Sequence, residues 1–398
     1  MNGPLEGIVV VDLTSVVAGP LATQIFAQQG ARVFKIEPPE GDRARMLGAI
    51  AAPGFSAVHA TLNAGKDSVG LDLTQPAARA ILMRLIEVAD VLIHNFRPGV
   101  AERLGMRVEE LQDRYPRLVI ARVTGFGQKG PLSTERAYDP IVQAESGMAV
   151  RDDAGEPRLA PQYVHDKTAG LYAAQAVTAA LVARARMGRG CVVDVSMLEA
   201  AVAYGWIDIH GTETFARPQR PQPNIAKVYR PWRTSDGWVV IVMLSQDEFA
   251  GWAQTVEAPE ALEDPRFADM ASRFLNWDAL RDIGEAKLAG MSTEQATARL
   301  RGAGVPCGVA NDSGGVRKHE QLQANGFLVE RADERLGPTT TPLPAARFDG
   351  KRNSTPSRAQ SIGERTQGVL SEAGMSQEEI EAAFASGAAH EGRSEHDV

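Results

Sequence analysis

The stretch Gly7-Ile8-Val9-Val10-Val11-Asp12-Leu13 decides the fold class, because it is a continuous apolar run typical of a strand buried on both faces. Apolar residues at helical spacing follow over residues 20–29, and Arg32-Val33-Phe34-Lys35-Ile36-Glu37 predicts a second strand. The alternation continues with predicted strands at 68–73, 91–96 and 118–124 and predicted helices at 76–89 and 108–114. It indicates an α/β domain with a Rossmann-like, mostly parallel sheet covered by helices on both faces.

The composition excludes several classes of protein. Of the 398 residues 44% are hydrophobic and 23% charged, which excludes a disordered chain, and the net charge of -8 disfavours nucleic acid and membrane partners. The histidines show no metal-ligand spacing, so we expect no metal site. Cys191 and Cys307 lie in contexts that suit reduced thiols, and the N-terminus has no signal-peptide pattern. We therefore expect a cytoplasmic protein.

Changes in sequence character divide the chain into segments. We expect the first part of the large domain at 1–209, a linker at 210–228, a small α+β domain at 229–325, a return segment to the large domain at 326–385 and a polar tail at 386–398. Three prolines indicate the extended linker, namely Pro218, Pro221 and Pro223. Ser235-Asp236-Gly237 predicts a hairpin turn in the small domain, and Ser292 with Gln295 predicts a helix-capping box. In the return segment, residues 337–342 predict extended chain and residues 376–385 a capped helix.

Asp166 is the first candidate for chemistry, because it stands where a loop meets a long alanine-rich run over residues 171–187. A carboxylate there can act as a nucleophile, although an aspartate before a helix is more often an N-cap. Asp139 precedes Pro140, which favours an N-cap role for it at least as much as a catalytic one.

Several turns after predicted strands could meet a ligand. The turn over residues 14–20 joins a strand to a helix N-terminus, where free N–H groups favour an anion or a developing oxyanion, or where helix simply packs on strand. It lacks the G-x-G-x-x-G pattern, which argues against a dinucleotide site even though Glu37 ends the second strand. Residues 95–105 carry two arginines that could clamp a phosphate, or the segment could be an ordinary solvated loop. Residues 63–66 allow the same two interpretations.

Together these features resemble one family, the class III CoA-transferases, also called the CaiB/BaiF family. The resemblance runs from about Leu5 to the last predicted helix. It rests on ordered blocks at residues 7–13, 18–20, 30–37, 41–42, 63–66, 72–73, 89–91, 95–105, 125–131 and 188–197.

The resemblance implies a covalent mechanism on Asp166. In that family an aspartate at this position attacks an acyl-CoA thioester to give an anhydride, the CoA thiolate then forms an aspartyl-CoA thioester, and an acceptor carboxylate completes the exchange. Val16, Val17 and Ala18 would lie against the thioester and offer backbone N–H groups, with Val17 standing where some members carry glutamine. CoA enters as a substrate and not as a permanent cofactor, and the second partner is a small carboxylic acid.

The resemblance also implies binding residues and an assembly. The CoA nucleotide would be held by Asn95, Phe96, Arg97, Arg103 and Lys66. The possible substrate pocket would include Tyr138, Asp139 and His165, with Tyr163, Tyr229 and Trp232 as further candidates. The family fold combines a large domain built from both chain ends with a small domain from the middle, and two open rings interlock as a homodimer. The glycine-rich lid of formyl-CoA:oxalate members is not visible between His210 and Arg233, which weakens oxalate as the acceptor.

Three alternative functions remain open at this point. An α-methylacyl-CoA racemase or epimerase shares the scaffold, but it needs two bases, and Tyr138-Asp139 stands where racemases have histidine followed by aspartate. Because a phenol is a much weaker acid than imidazolium, one base would be missing. An NAD-dependent oxidoreductase would suit the βαβ start but not the missing glycine pattern, and a non-catalytic CoA-binding protein is the third alternative.

Overall fold

The structure, a computed structural model, describes residues 3–151, 155–217, 228–333, 335–352 and 358–392. Two compact units divide the chain, one formed by residues 1–207 with 326–398 and the other by 208–325. The predicted linker prolines Pro218, Pro221 and Pro223 lie outside the described residues. Among the described residues, no helix has both the length and the apolar character needed to cross a membrane.

The helices and strands alternate over most of the first unit. In chain order the strands are β1 (Val9–Leu13), β2 (Arg32–Glu37), β3 (Ile50–Ala52), β4 (Phe55–Ser56), β5 (Asp67–Leu71), β6 (Val91–His94), β7 (Val119–Thr124), β8 (Val150–Arg151), β9 (Pro157–Arg158), β10 (Val192–Ser196), β11 (Trp232–Arg233), β12 (Trp238–Ile241), β13 (Cys307–Val309), β14 (Leu328–Asp333), β15 (Gly337–Pro342) and β16 (Ala389–His390). The α-helices are α1 (Ala18–Gln28), α2 (Ala57–Asn63), α3 (Pro76–Glu87), α4 (Val100–Arg103), α5 (Val108–Arg114), α6 (Asp139–Glu145), α7 (Val164–Met187), α8 (Met197–Gly205), α9 (Gln246–Thr255), α10 (Met270–Leu275), α11 (Trp277–Leu288), α12 (Thr293–Gly302), α13 (Ser313–Arg317), α14 (Glu320–Ala324), α15 (Thr366–Glu372) and α16 (Gln377–Ala385).

A seven-stranded sheet forms the centre of the first unit, in the order β10-β7-β6-β1-β2-β5-β16. Its strand pairs are parallel except β16 with β5. Successive side chains of β1 enter different cores, because Val10 packs with α1, α7 and α8 whereas Val11 packs with α3, α15 and α16. The predicted α/β class, with a mostly parallel sheet and helices on both faces, is confirmed.

The segment after Ser386, predicted as a polar tail, contains a strand. Ala389 pairs with Leu71 and His390 with Gly70, so β16 closes the edge of the sheet in antiparallel orientation. Ala388 and Ala389 are buried in the core that α3 and α16 share. Two small alanines carry too weak an apolar signal to predict a strand, and the pairing depends on β5, more than 300 residues earlier.

The second unit has a three-stranded antiparallel sheet in the order β11-β12-β13. The predicted hairpin turn between β11 and β12 is present, as is the capping box of Ser292 and Gln295. Trp232 is fully buried and packs edge-on against Trp252 and Trp277. It therefore belongs to the core of this unit, and the expectation that it lines a substrate pocket is wrong.

The return segment is extended, as its sequence predicts. Gly337–Pro342 is strand β15, which pairs antiparallel with β14. The predicted last helix is also present as α16, with Ser376 at its N-cap and Glu379 completing a capping box.

Candidate active site

Asp166 lies in the first turn of the long helix α7, not before it. The helix begins at Val164 and ends at Met187, and the next residue, Gly188, has a φ of 75°, the left-handed conformation common after a helix. The alanine face of α7 packs closely on α1 and the sheet through Ala169, Ala173 and Val177. The carboxylate of Asp166 is half-buried at the N-terminal end of a well-anchored helix.

Asp139 caps α7 rather than its own helix. It is the first residue of α6, with Tyr138 at the N-cap position, so the expected N-cap role of Asp139 in α6 is wrong. Its Oδ2 accepts the backbone N–H of His165 at 2.6 Å and of Asp166 at 2.9 Å. With its side chain buried, Asp139 satisfies two N–H groups that the first turn of α7 cannot bond internally.

Gln143 completes this cap and is a residue that sequence reasoning missed. Its Nε2 donates to Asp139 Oδ1 at 2.5 Å and to the carbonyl of Gln162 at 3.0 Å. Its Oε1 accepts the N–H of Ala160 at 2.9 Å. Gln143 stands four residues after Asp139, one turn along α6, and this i, i+4 spacing is the signal that could have indicated the pair.

The environment of Asp166 makes its carboxyl group a weak acid. Burial, and then the negative charge of Asp139, raise the pKa of Asp166 from its ordinary value of 3.8 to about 7. A raised pKa means that the surroundings do not strongly stabilise the charged carboxylate. A carboxylate in such surroundings is a better nucleophile toward a carbonyl carbon.

The turn between β1 and α1 lies beside the first turns of α7. A Cβ atom added at Gly170 would be only 2.6 Å from the carbonyl oxygen of Ala18. Because Gly170 follows Asp166 by four residues, the two share one face of α7. The predicted thioester-adjacent residues are thus brought close to the helix face that carries Asp166.

The backbone N–H groups of this turn differ in whether they already donate a hydrogen bond to a side chain. The N–H of Val16 donates to Asp42, at 3.0 Å from Oδ1 and 3.3 Å from Oδ2, so it is already engaged. Helix α1 begins at Ala18 without a side-chain cap, and the N–H groups of Val17 and Ala18 stand at its N-terminus. The backbone role predicted for all three residues is therefore not available to Val16, and for Val17 and Ala18 it stays a prediction.

The predicted nucleotide-binding residues follow β6 but have different surroundings. Asn95 holds the backbone of Ser15, accepting its N–H at 3.0 Å and donating to its carbonyl at 2.8 Å. The half-buried ring of Phe96 stacks on His94, with 5.2 Å between the ring centroids. Arg97 and Arg103 are both exposed, and Arg97 donates to the carbonyl of Thr134 at 2.9 Å.

Lys66 is placed where a phosphate cannot reach it. Its side chain is 1% exposed, and its Nζ has four oxygen partners. They are Asp12 Oδ2 at 3.2 Å, the Pro20 carbonyl at 3.0 Å, Thr23 Oγ1 at 2.7 Å and Asn63 Oδ1 at 2.8 Å. We correct its expected nucleotide contact to a structural role, because an ammonium group with four buried acceptors already has its charge compensated.

The pocket candidates also separate by exposure. Tyr138 and Tyr163 are exposed at the N-cap positions of α6 and α7, and both precede Asp166 in sequence. His165 is buried, with its Nε2 at 3.3 Å from Ser146 Oγ, and burial lowers its pKa. Its side chain does not reach the protein surface, so the expected pocket role of His165 has no support in this geometry. Tyr229 is exposed in the second unit, and its role stays a prediction.

Comparison with known proteins now places this geometry in a family. A family model described as CoA-transferase family III matches residues 5–366. The chain belongs to this family. It is 36% identical over 342 residues to the acetyl-CoA:oxalate CoA-transferase of Acetobacter aceti, which covers 83% of this chain and 86% of that protein. It is also 29% identical over 376 residues to the succinyl-CoA:glutarate CoA-transferase of Mus musculus, covering 93% of this chain and 86% of that protein.

Solved structures of the CoA-transferase family agree. A CaiB/BaiF family protein from Brucella suis has a TM-score of 0.81 and 27% identity, covering 94% of this chain and 100% of that one. The Mycobacterium tuberculosis protein Rv3272 has a TM-score of 0.80 and 30% identity, covering 92% and 98%. The predicted family and transferase class are confirmed.

Proposed function

We propose that this CoA-transferase moves CoA from an acyl-CoA donor to a carboxylic acid through covalent intermediates on Asp166. One observation carries the proposal. The half-buried carboxylate, with a pKa of about 7, lies on the face of α7 that packs against the N-terminus of α1. A nucleophile and a set of N–H donors for the developing oxyanion are therefore close together.

The reaction divides into exchanges at a carbonyl carbon. The Asp166 carboxylate attacks the thioester, the C–S bond breaks, and an aspartyl-acyl anhydride and CoA thiolate result. The thiolate then attacks the aspartyl carbonyl and releases the donor as its free acid anion, leaving an aspartyl-CoA thioester. The acceptor carboxylate forms a new anhydride with Asp166 in the same way, and the returning thiolate produces the new acyl-CoA and regenerates Asp166.

The N–H groups of Val17 and Ala18 would stabilise the tetrahedral oxyanion in each step. A donor aimed at such an oxyanion contributes roughly 3 kcal/mol to lowering the barrier. Valine at position 17 offers no side-chain donor, so the backbone alone supplies this stabilisation. For the nucleotide of CoA we propose Phe96, Arg97 and Arg103, because a half-buried ring and two exposed guanidinium groups suit adenine and phosphate.

Transfer is favoured over racemisation by the surroundings of Asp139. A racemase needs a base on each face of the α-carbon. Asp139 is buried and accepts two backbone N–H groups and an amide N–H, and its neighbour Tyr138 carries a phenol. Asp139 is therefore not an accessible base, and a phenol is a poor substitute for the imidazole of a racemase.

Small mono- and dicarboxylic acids are the acceptors we propose. Relatives named for oxalate and for glutarate support this class, although the missing glycine-rich lid makes oxalate the weaker candidate of the two. The cytoplasmic location stays a prediction, which cell fractionation would test.

We also propose a homodimer. Apolar side chains are exposed along α7 and just after α8 in the first unit, at Leu171, Val182, Trp206 and Ile207. Large apolar side chains exposed on neighbouring elements commonly mark an interface. A second copy of the chain is the partner that the family resemblance implies.

The test is mass spectrometry of the purified protein after brief incubation with a panel of acyl-CoA donors, with hydroxylamine or borohydride as the trap. We expect an adduct on Asp166 that is absent from Asp166→Ala, and its mass identifies the donor. The absence of any adduct, together with exchange of the α-proton in deuterated water, would instead establish racemase chemistry.

A further inference from the structure

Side chains hold the backbone of the turn between β1 and α1 at each of its first three residues. The N–H of Thr14 donates to Asp12 Oδ1 at 2.9 Å, and its carbonyl accepts from Lys35 Nζ. Both backbone groups of Ser15 bond the side-chain amide of Asn95. A turn fixed in this way has little freedom to adjust when a ligand arrives.

Val16 is the strained residue of this turn. Its φ of 72° lies in the left-handed region, and it is the β-branched member of the three non-glycine residues with positive φ in the described part of the chain. Such a conformation is unfavourable for valine and persists where its surroundings impose it, most often at functional sites.

Asp42 is the side chain that bonds the backbone of Val16. Its Oδ1 accepts the N–H of Val16 at 3.0 Å and of Ala44 at 2.9 Å, while its Oδ2 accepts from Lys35 Nζ at 2.8 Å. Burial alone would raise the pKa of Asp42, but the charge of Lys35 and these hydrogen bonds outweigh it and lower the pKa. The carboxylate is ionised and buried, and hydrogen bonds to an ionised acceptor are the strong ones.

We infer that Asp42 is a positioning residue for CoA transfer: it holds Val16 in the left-handed conformation, so that the next two N–H groups are directed toward the face of α7 that carries Asp166. The inference rests on the proposed role of Asp166. The close approach of Gly170 to the Ala18 carbonyl shows how little clearance separates this turn from α7. A small rotation of the turn would move the N–H groups of Val17 and Ala18 away from the oxyanion.

The carboxylate cannot be replaced by its amide without loss. In Asp42→Asn one oxygen becomes an NH₂ donor, which must face either Lys35 or the N–H groups of Val16 and Ala44. Val16 then relaxes from its strained conformation. Val16→Gly removes the strain, because glycine adopts positive φ freely and has less need of Asp42 to hold it there.

A double-mutant cycle tests this inference. Asp42→Asn is made in the Val16 and the Val16→Gly backgrounds, and the single-turnover rate of adduct formation on Asp166, the KM for the acyl-CoA donor and the Tm are measured. In the Val16 background we expect the rate to fall by roughly 10- to 100-fold with KM changed less than about threefold. In the glycine background the loss should be at least about tenfold smaller.

Glu37→Gln is the matched control. Glu37 is a similarly buried acid that bonds Arg45, Ser68 and the backbone N–H of Asp42, but it makes no hydrogen bond to Val16 or to the other residues of the turn. Its replacement is expected to lower the Tm, with the same effect on the rate in both backgrounds. Asp42→Glu, which keeps the charge beside Lys35 and displaces the acceptor by one methylene, replaces Asp42→Asn in the cycle if that variant does not fold.

The outcomes separate the two proposals. Suppose that the wild type forms the adduct, but Asp42→Asn slows adduct formation equally in both backgrounds or lowers only the Tm. The proposed role of Asp42 is then overturned, and the proposed role of Asp166 stands. If the wild type forms no adduct with any donor, the proposed function is overturned, and the purpose assigned to Asp42 is lost with it.

Discussion

At the scale of single residues, the carboxyl group of Asp166 gives the sharpest prediction, because its pKa links activity to stability. With a pKa of about 7 in the folded protein against 3.8 ordinarily, the native state retains a proton that the unfolded chain has lost. The stability that this proton contributes is fully present below about pH 4 and is lost as the pH rises through about 7. Asp166→Asn should therefore stabilise the protein by roughly 1–3 kcal/mol more at pH 8 than at pH 5.

Urea unfolding at the two pH values measures this difference in the free energy of unfolding. Asp113→Asn, at an exposed aspartate on α5, is the control for general effects of removing a carboxylate. An equal change for both variants would mean that burial does not perturb Asp166.

Asp139 provides a second prediction at this scale. Its charge is one cause of the raised pKa of Asp166, so Asp139→Asn should move the pH midpoint of adduct formation downward, by up to about one unit. The amide can still accept the N–H groups of His165 and Asp166 through its single oxygen. Stopped-flow measurement of adduct formation between pH 5 and 9 tests the shift, and an unchanged midpoint would leave burial as the sole cause.

Sequence reasoning reached Asp166 but not its cap, and the reason is physical. An aspartate at the start of an alanine-rich helix is visible in one stretch of sequence, whereas Asp139 acts on backbone groups 27 residues away. The role predicted for Lys66 was wrong for a related reason. A lysine near a turn resembles a phosphate ligand until the fold brings Asp12 and Thr23 against it.

At the scale of elements, the contact between α1 and α7 sets the distance from the proposed oxyanion donors to Asp166. In Gly170→Ala the new Cβ would lie 2.6 Å from the Ala18 carbonyl oxygen, so one helix must move. We expect a loss of roughly 1–3 kcal/mol in the free energy of unfolding. Adduct formation on Asp166 should slow by at least about tenfold, because small misplacements of reacting groups are costly.

Gly302→Ala is the matched control for that change. Gly302 is the last residue of α12, and apart from its chain neighbours and the backbone of its own helix no atom lies within 4 Å of an added Cβ, so its replacement should be neutral or slightly stabilising. Equal effects of the two substitutions would mean that α1 and α7 separate without consequence for the site.

Elements with a strong local pattern could be predicted closely. The strand Arg32–Glu37 and the helix Val108–Arg114 have apolar spacing and flanking residues that mark their bounds. Strand β16 could not be predicted, since its two residues become a strand only by pairing with β5. Local propensity predicts what a segment can form, and long-range pairing decides whether a short segment forms it.

At the scale of the whole molecule, the exposed apolar face of α7 gives the last prediction. Val182 is 59% exposed, and it stands 16 residues after Asp166, about 24 Å along the helix axis. If a second copy covers this face, Val182→Glu buries an unpaired charge in the interface, and a two-fold interface would carry the change on both sides. We expect a concentration-dependent shift from dimer toward monomer in sedimentation velocity, while the far-UV circular dichroism of the unit stays unchanged.

Val88→Glu is the control, because Val88 is similarly exposed at the end of α3, a helix on the opposite face of the sheet from α7. A dimer that survives Val182→Glu and dissociates in Val88→Glu would place the interface on the opposite face. A monomeric wild type at micromolar concentration would contradict the homodimer itself.

Because Asp166 and Val182 share one helix, covering this face with a second copy would also restrain the movement of α7. We therefore expect the monomeric variant to form the Asp166 adduct more slowly, by several-fold, even though the substituted residue is remote from the carboxylate.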